Sequence, residues 1–71
     1  MKTKVLYYLY DKKGKLIFAS RDLFFIQTKI SELNLLRSQE YLALKKYGYI
    51  WFGGRVIFDN CEIIKREYDL G

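Results

Sequence analysis

Apolar residues occupy both parities of the first segment of this chain. In a strand over residues 4–10, Val5, Tyr7 and Leu9 share one side and Leu6, Tyr8 and Tyr10 share the other. A strand that is apolar on both sides is either central in a sheet or carries an aromatic face that awaits a partner. Asp11-Lys12-Lys13-Gly14 follows as a turn signal, in which Gly14 can take a positive φ. Lys15 to Ala19 then returns as a second strand, so the pattern predicts a β-hairpin.

Beyond Ser20 the apolar period lengthens. Leu23, Ile26, Ile30 and Leu33 recur at spacings of three and four, which makes one helical stripe. Ser20 is placed to cap this helix, and Asp22 in its first turn complements the dipole. Phe25 widens the stripe, Phe24 lies toward the opposite side, and Asn34 is a natural stop. Residues 38–47 fit two patterns. As a helix they are capped by Ser38; as a strand they set Tyr41, Ala43 and Lys45 against Leu42, Leu44 and Lys46. Glu, Leu, Ala and Lys dominate the segment, which favours the helix.

Gly48 closes that segment. Tyr49–Phe52 and Arg55–Phe58 then flank Gly53-Gly54, a second hairpin signal. Its register opposes Phe52 to Arg55, Trp51 to Val56 and Ile50 to Ile57. Asp59-Asn60 makes a further turn, and 61–68 forms a last strand with Cys61, Ile63, Lys65 and Glu67 on one side. The predicted order is β-β-α-(α)-β-β-β. This is a single α+β domain over residues 1–71, with an antiparallel sheet of two hairpins plus a C-terminal strand and one or two helices packed on it.

Composition changes this picture in three ways. First, 71 residues make a thin core, and small domains usually lean on a staple or a partner. Cys61 is the only cysteine and there is no histidine, which excludes an internal disulfide and the usual zinc sites. Thirteen of the residues are aromatic, more than so thin a core can hide, so some tyrosines are expected on the surface. Second, no apolar run approaches the length of about 18 residues that spans a bilayer. The six-residue run 5–10 is shorter than a signal-peptide core of about 7–15 residues. A single free thiol without such a signal points to a reducing cytoplasmic compartment and no membrane partner. Third, the chemistry of catalysis is thin. Without histidine the common general base is missing. Gly53-Gly54 opens no helix and so forms no phosphate loop. No carboxylate pair has a spacing that suggests a metal site. The expectation is a non-enzymatic protein without cofactor or metal, with Cys61 a small buried hydrophobe.

The net charge of +5 is uneven: +4 over residues 1–20, zero over 21–44, +3 over 45–58 and −2 over 59–71. The two basic zones contain aromatic residues, the combination that neutralises phosphate and stacks on bases. Nucleic-acid binding is therefore the leading expectation. Its candidate residues are Lys12, Lys13 and Lys15 at the first hairpin tip, with Arg37, Lys45, Lys46, Tyr47, Tyr49, Trp51 and Arg55 in the second zone. Two helices over 21–47 followed by a β wing at 48–58 would present Arg37, Gln39, Lys45 and Lys46 to a duplex, although Glu40 would repel phosphate.

The alternative is a protein-binding accessory or inhibitor acting through exposed Tyr and Trp. It matches in style the small proteins of phages and mobile elements, anti-CRISPR proteins among them. Self-association into a homodimer through an edge strand is a variant of it. The stretch 8–18, Tyr-Leu-Tyr-Asp-Lys-Lys-Gly-Lys-Leu-Ile-Phe, resembles the opening hairpin of small modules found with homing endonucleases and of some integrase arm-binding domains. Its residues are those that any Asp-Gly-type hairpin uses, so it implies a hairpin and assigns no family.

Overall fold

The structure, a computed structural model, describes residues 2–71. The chain forms β1 (Thr3–Asp11), β2 (Leu16–Ser20), α1 (Leu23–Glu32), α2 (Ser38–Tyr47), β3 (Arg55–Ile57) and β4 (Cys61–Asp69). The four strands make one antiparallel sheet in the order β2-β1-β4-β3. This is the α+β domain expected from the sequence, with one strand fewer.

The first hairpin forms as its turn residues dictate. The Asp11 carboxylate accepts the backbone N–H groups of Lys13 and Lys15, both at 2.9 Å, and Gly14 sits at φ 84°. Those backbone bonds, the one from Lys15 foremost, hold the Asp11 carboxyl below its ordinary value of 3.8. A bulge between Leu9 and Tyr10 then shifts the β1–β2 register. The first and last strands pair over nine residues, from Thr3 with Asp69 to Asp11 with Cys61. That ladder sets Leu9 beside Ile63 and Tyr8 beside Ile64.

Alternation sends Leu9, Ile63, Cys61 and Val56 to one face. There they join Ile26 and Ile30 of α1 and Leu36 of the interhelical turn in a single buried cluster. Each fully buried aliphatic side chain of this kind stabilises by about 1.5–3 kcal/mol. The helix begins later than predicted: its N-cap is Asp22, whose side chain accepts from Phe24 N–H at 2.9 Å, while the Ser20 hydroxyl accepts from Asp22 N–H. It also ends earlier. Leu33 is its C-cap and stands exposed, and Asn34 at φ 52° reverses the chain so that Leu36 takes the core position instead. Phe25 does not widen the buried stripe; it lies exposed, edge-on to Phe24.

Residues 38–47 are helical. Glu40 fixes the start of α2 by accepting from Arg37 N–H at 2.9 Å, and its other carboxylate oxygen takes Asp59 N–H at 3.0 Å. This helix buries no residue fully. It rests on half-buried Tyr41 and Leu44, with the Tyr41 hydroxyl 2.7 Å from Ser31 Oγ.

The second hairpin departs from its predicted register. Gly53 and Gly54 both have positive φ, as a two-residue turn of this hand requires, and Phe52 exchanges both backbone bonds with Arg55. Pairing then stops. Phe52–Arg55 is an isolated bridge, and neither Trp51–Val56 nor Ile50–Ile57 forms. Trp51 turns instead onto Tyr7, at a ring separation of 5.8 Å, and onto Tyr49, at 6.0 Å; Lys65 Nζ lies 4.7 Å from its ring centroid. An aromatic surface with a cation over it outcompetes three further strand residues. The segment 49–52 is therefore not a strand.

Candidate functional site

Among the described residues, no helix packs over the face of the sheet opposite the buried cluster. Register assigns to it Lys4, Leu6, Tyr8 and Tyr10 from β1, and Glu62, Ile64, Arg66 and Tyr68 from β4. Leu16 and Ala19 of β2, with Arg55 and Ile57 of β3, border it on the two sides. Leu6, Tyr8, Tyr10 and Ile64 are half-buried, and Leu16, Ile57 and Tyr68 are exposed.

Three tyrosines line the central pair of strands. Tyr8 and Tyr10 lie two residues apart on β1, about 7 Å along the strand. Tyr68 sits opposite Lys4, and its hydroxyl meets that of Tyr8 at 2.8 Å, reaching past the level of the Leu6–Arg66 pair. That bond is the main reason the Tyr8 phenol is raised above its ordinary value of 10.0, with Arg66 pulling the other way. Across from Tyr8 on the β2 side stands Ala19, too small to cover its ring. No ion pair engages Lys4 or Arg66 among the described residues, whereas Arg55 is bound to Glu62 through Nε at 2.8 Å and through its terminal nitrogen.

The ten residues singled out from the sequence do not converge. Lys12, Lys13 and Lys15 stand exposed at the β1–β2 tip, as expected of a turn. Arg37 precedes α2 and pairs with Asp59 at 3.2 Å. Arg55 is neutralised by Glu62. Lys45, Lys46 and Tyr47 lie in the last turn of α2, where Lys46 Nζ sits 5.2 Å from the exposed Tyr47 ring. Tyr49 and Trp51 pack against the core from the helix side. Burial raises the Tyr49 phenol, and among the described residues its oxygen has no hydrogen-bond partner. Glu40 is half-buried at the start of α2, where its carboxylate accepts two backbone N–H groups and keeps its negative charge.

Residue typing therefore overlooked Tyr8, Tyr68, Lys4 and Arg66 as a set. The signal for the face was present in the two-sided apolar pattern of residues 4–10. The missing information was the partner of β1, since only the β1–β4 register brings Arg66 and Tyr68 into the same surface.

A second feature lies at the sheet edge. A groove of about 520 Å³ opens between α2, the segment 48–52 and β3, lined by Ala43, Leu44, Ile50, Phe52, Val56 and Ile57, among others. Phe52 is 84% exposed, Ile57 71% and Ile50 64%. Cys61 is buried beneath this region, and desolvation, with Glu40 nearby, pushes its thiol up to about 11, which leaves it an unreactive hydrophobe.

Among the described residues no cluster of His, Cys, Asp or Glu has the make-up of a metal site, and no helix is long and apolar enough to cross a membrane. No protein-family model, curated protein or solved structure matches the chain.

Proposed function

We propose that this chain is a non-enzymatic binding domain that holds a short single-stranded nucleic acid on the open face of its sheet. The observation that carries this reading is the set of three tyrosines, Tyr8, Tyr10 and Tyr68, on the uncovered face of the two central strands, with unpaired Lys4 and Arg66 between and beside them. Bases offer a π face to such rings whatever their sequence, at about 1–3 kcal/mol per stacked base. Cations at the level of the rings meet the backbone phosphates, and the +5 chain adds long-range attraction. The exposed lysines of the β1–β2 tip extend the basic track beyond Tyr10. A single strand suits the site better than a duplex. Paired and stacked bases cannot lie flat on the sheet, and the one helix N-terminus offered to a groove has its Arg37 tied to Asp59.

Fluorescence anisotropy with a short labelled strand of mixed sequence, as DNA and as RNA, tests this. Binding is expected to exceed that of the matching duplex. It should weaken with a salt slope of about −0.7 per phosphate neutralised between roughly 50 and 200 mM. Arg66→Ala should reduce the slope by about one such increment. Failure to bind at low salt would refute the reading, as would binding indifferent to Tyr10→Ala.

A second reading, a protein-binding accessory or inhibitor, is supported by large apolar side chains exposed away from the open face: Phe24, Phe25, Leu42, Ile50 and Phe52. Its strongest element is the edge groove.

A further inference from the structure

The geometry points to the edge groove as a docking site for an extended apolar segment of a partner protein, flanked by acidic residues and added to β3 as a further strand. This site borders the open face at Arg55 and Ile57 and shares Lys12 and Lys13 with the basic track, but the case for it does not rest on what that face binds.

Backbone direction alternates along β3 and the residues that flank it. Lys65 N–H bonds Gly54 C=O, and Phe58 N–H bonds Cys61 C=O, so residues 54 and 58 point toward β4. Val56, at the same parity, faces Ile63. Arg55 points the other way and exchanges both its bonds with Phe52. By alternation the N–H and C=O of Ile57 also point away from β4. The residue that should meet them is Ile50, and it does not pair there. Trp51 packs on Tyr7 and under Lys65 instead of continuing the hairpin, which leaves a donor and an acceptor of Ile57 aimed into an apolar gap. A strand edge beside such a gap is a template for an added strand.

The lining then selects the occupant. Its two charged residues, Glu40 and Arg55, are already engaged, Glu40 with Arg37 and Asp59 backbone and Arg55 with Glu62. The gap itself therefore asks for neutral, apolar side chains. One end differs. The adjoining concavity shares Arg55, Ile57 and Phe58 with the groove and is bordered by Lys12 and Lys13. Of its carboxylates, Asp59 is paired with Arg37 and Glu62 with Arg55, whereas Asp11 accepts turn N–H groups and keeps a negative charge that Lys12 and Lys13 together exceed. Among the described residues neither lysine has an ion-pair partner. The free charge at that end is positive, so the matching end of the incoming segment is acidic.

The test uses amide chemical shifts of the full chain, titrated with three capped peptides. The first is Asp-Asp-Val-Thr-Val-Thr-Val. The second replaces its two Asp by Lys. The third replaces its two Thr by Pro and so cannot extend a ladder. Saturable shifts are expected at residues 55–58, at 43–44 and at Lys12–Lys13 with the first peptide. Binding should be several-fold weaker with the second and absent with the third. Ile57→Pro removes the outward N–H without touching a bond to β4, and should abolish the shifts. Ala43→Lys, on an exposed helix position of the groove wall, should do the same if the proline variant fails to fold. Equal response to the proline peptide would overturn the proposal. So would shifts confined to Tyr8, Tyr10 and Tyr68, or concentration-dependent shifts at 55–58 without peptide, which would make a second copy of the chain the occupant.

Discussion

The two faces of β1 and β4 are built from similar residues and have opposite fates. Leu9 and Ile63 lie on one face and are fully buried under α1. Leu6, Tyr8, Tyr10 and Ile64 lie on the other and are only partly buried. Hydrophobicity does not separate them. What separates them is the supply of cover: ten residues of α1 and a loosely seated α2 can shield only one side. A chain this short that makes both sides of its central strands apolar leaves one of them as a surface, and such surfaces mark interaction sites.

The contrast can be broken most forcefully by paired truncations. Ile63→Ala should cost about 2–5 kcal/mol in urea unfolding, through lost burial and the cavity left behind. Ile64→Ala, one residue on and on the open face, should cost no more than about 1 kcal/mol. Equal losses would mean that the open face is covered in solution.

Tyrosines on the two faces should differ in the same way when binding is measured. Tyr10→Ala should weaken single-strand affinity by about 1–3 kcal/mol, and Tyr10→Phe should leave it nearly intact, since stacking needs the ring and not the hydroxyl. Tyr7→Ala removes the ring under Trp51 on the covered face. It should lower the urea midpoint and leave the affinity of the folded fraction unchanged. The reverse assignment would exchange the roles of the faces.

A third test reads the covered face by pH. The Cys61 thiol is raised from 9.0 to about 11 by burial, so the unfolded chain releases this proton first. Stability is full below pH 9 and falls as pH rises toward 11, by no more than about 2 kcal/mol. The loss should be shallower in Cys61→Ala, whereas Tyr49, also raised by burial, sustains a decline above pH 10.0 in both proteins.

The smallest effect belongs to the open face. Tyr68→Phe removes the exposed hydroxyl contact with Tyr8 and should leave the urea midpoint nearly unchanged. Its clearer signature is an ultraviolet titration in which Tyr8 moves back toward 10.0. An unmoved titration would place the two hydroxyls apart.

Much of this architecture is readable from residue pattern. The Asp11–Gly14 turn, the α1 stripe at Ile26 and Ile30, and the Gly53-Gly54 turn are local statements, and local interactions determine them. The extent of the second hairpin is not local. A turn signal fixes which residues reverse the chain; whether Trp51 continues the ladder depends on Tyr7 and Lys65, which are distant in sequence and offer its ring a better surface. The candidate site failed to emerge for the same reason. Lysines and arginines near aromatics in sequence suggested a cluster, yet Arg37 and Arg55 have carboxylate partners that only the fold supplies. Arg66 and Tyr68 join Lys4 and Tyr8 only through the β1–β4 register.

That register also has a kinetic consequence. The closest pair in the β1–β4 ladder, Asp11 with Cys61, joins residues fifty positions apart, and Thr3 with Asp69 spans nearly the whole described chain. The β1–β2 hairpin and the helices can form from near neighbours, but Leu9 meets Ile63 only after a long loop has closed. A chain emerging from the ribosome would hold a half-built sheet, with β1 unpaired on one edge and Leu9 exposed, until its last strand arrived. Folding should therefore be limited by the docking of β4, and the exposed edge of β1 is where association between unfinished chains would start.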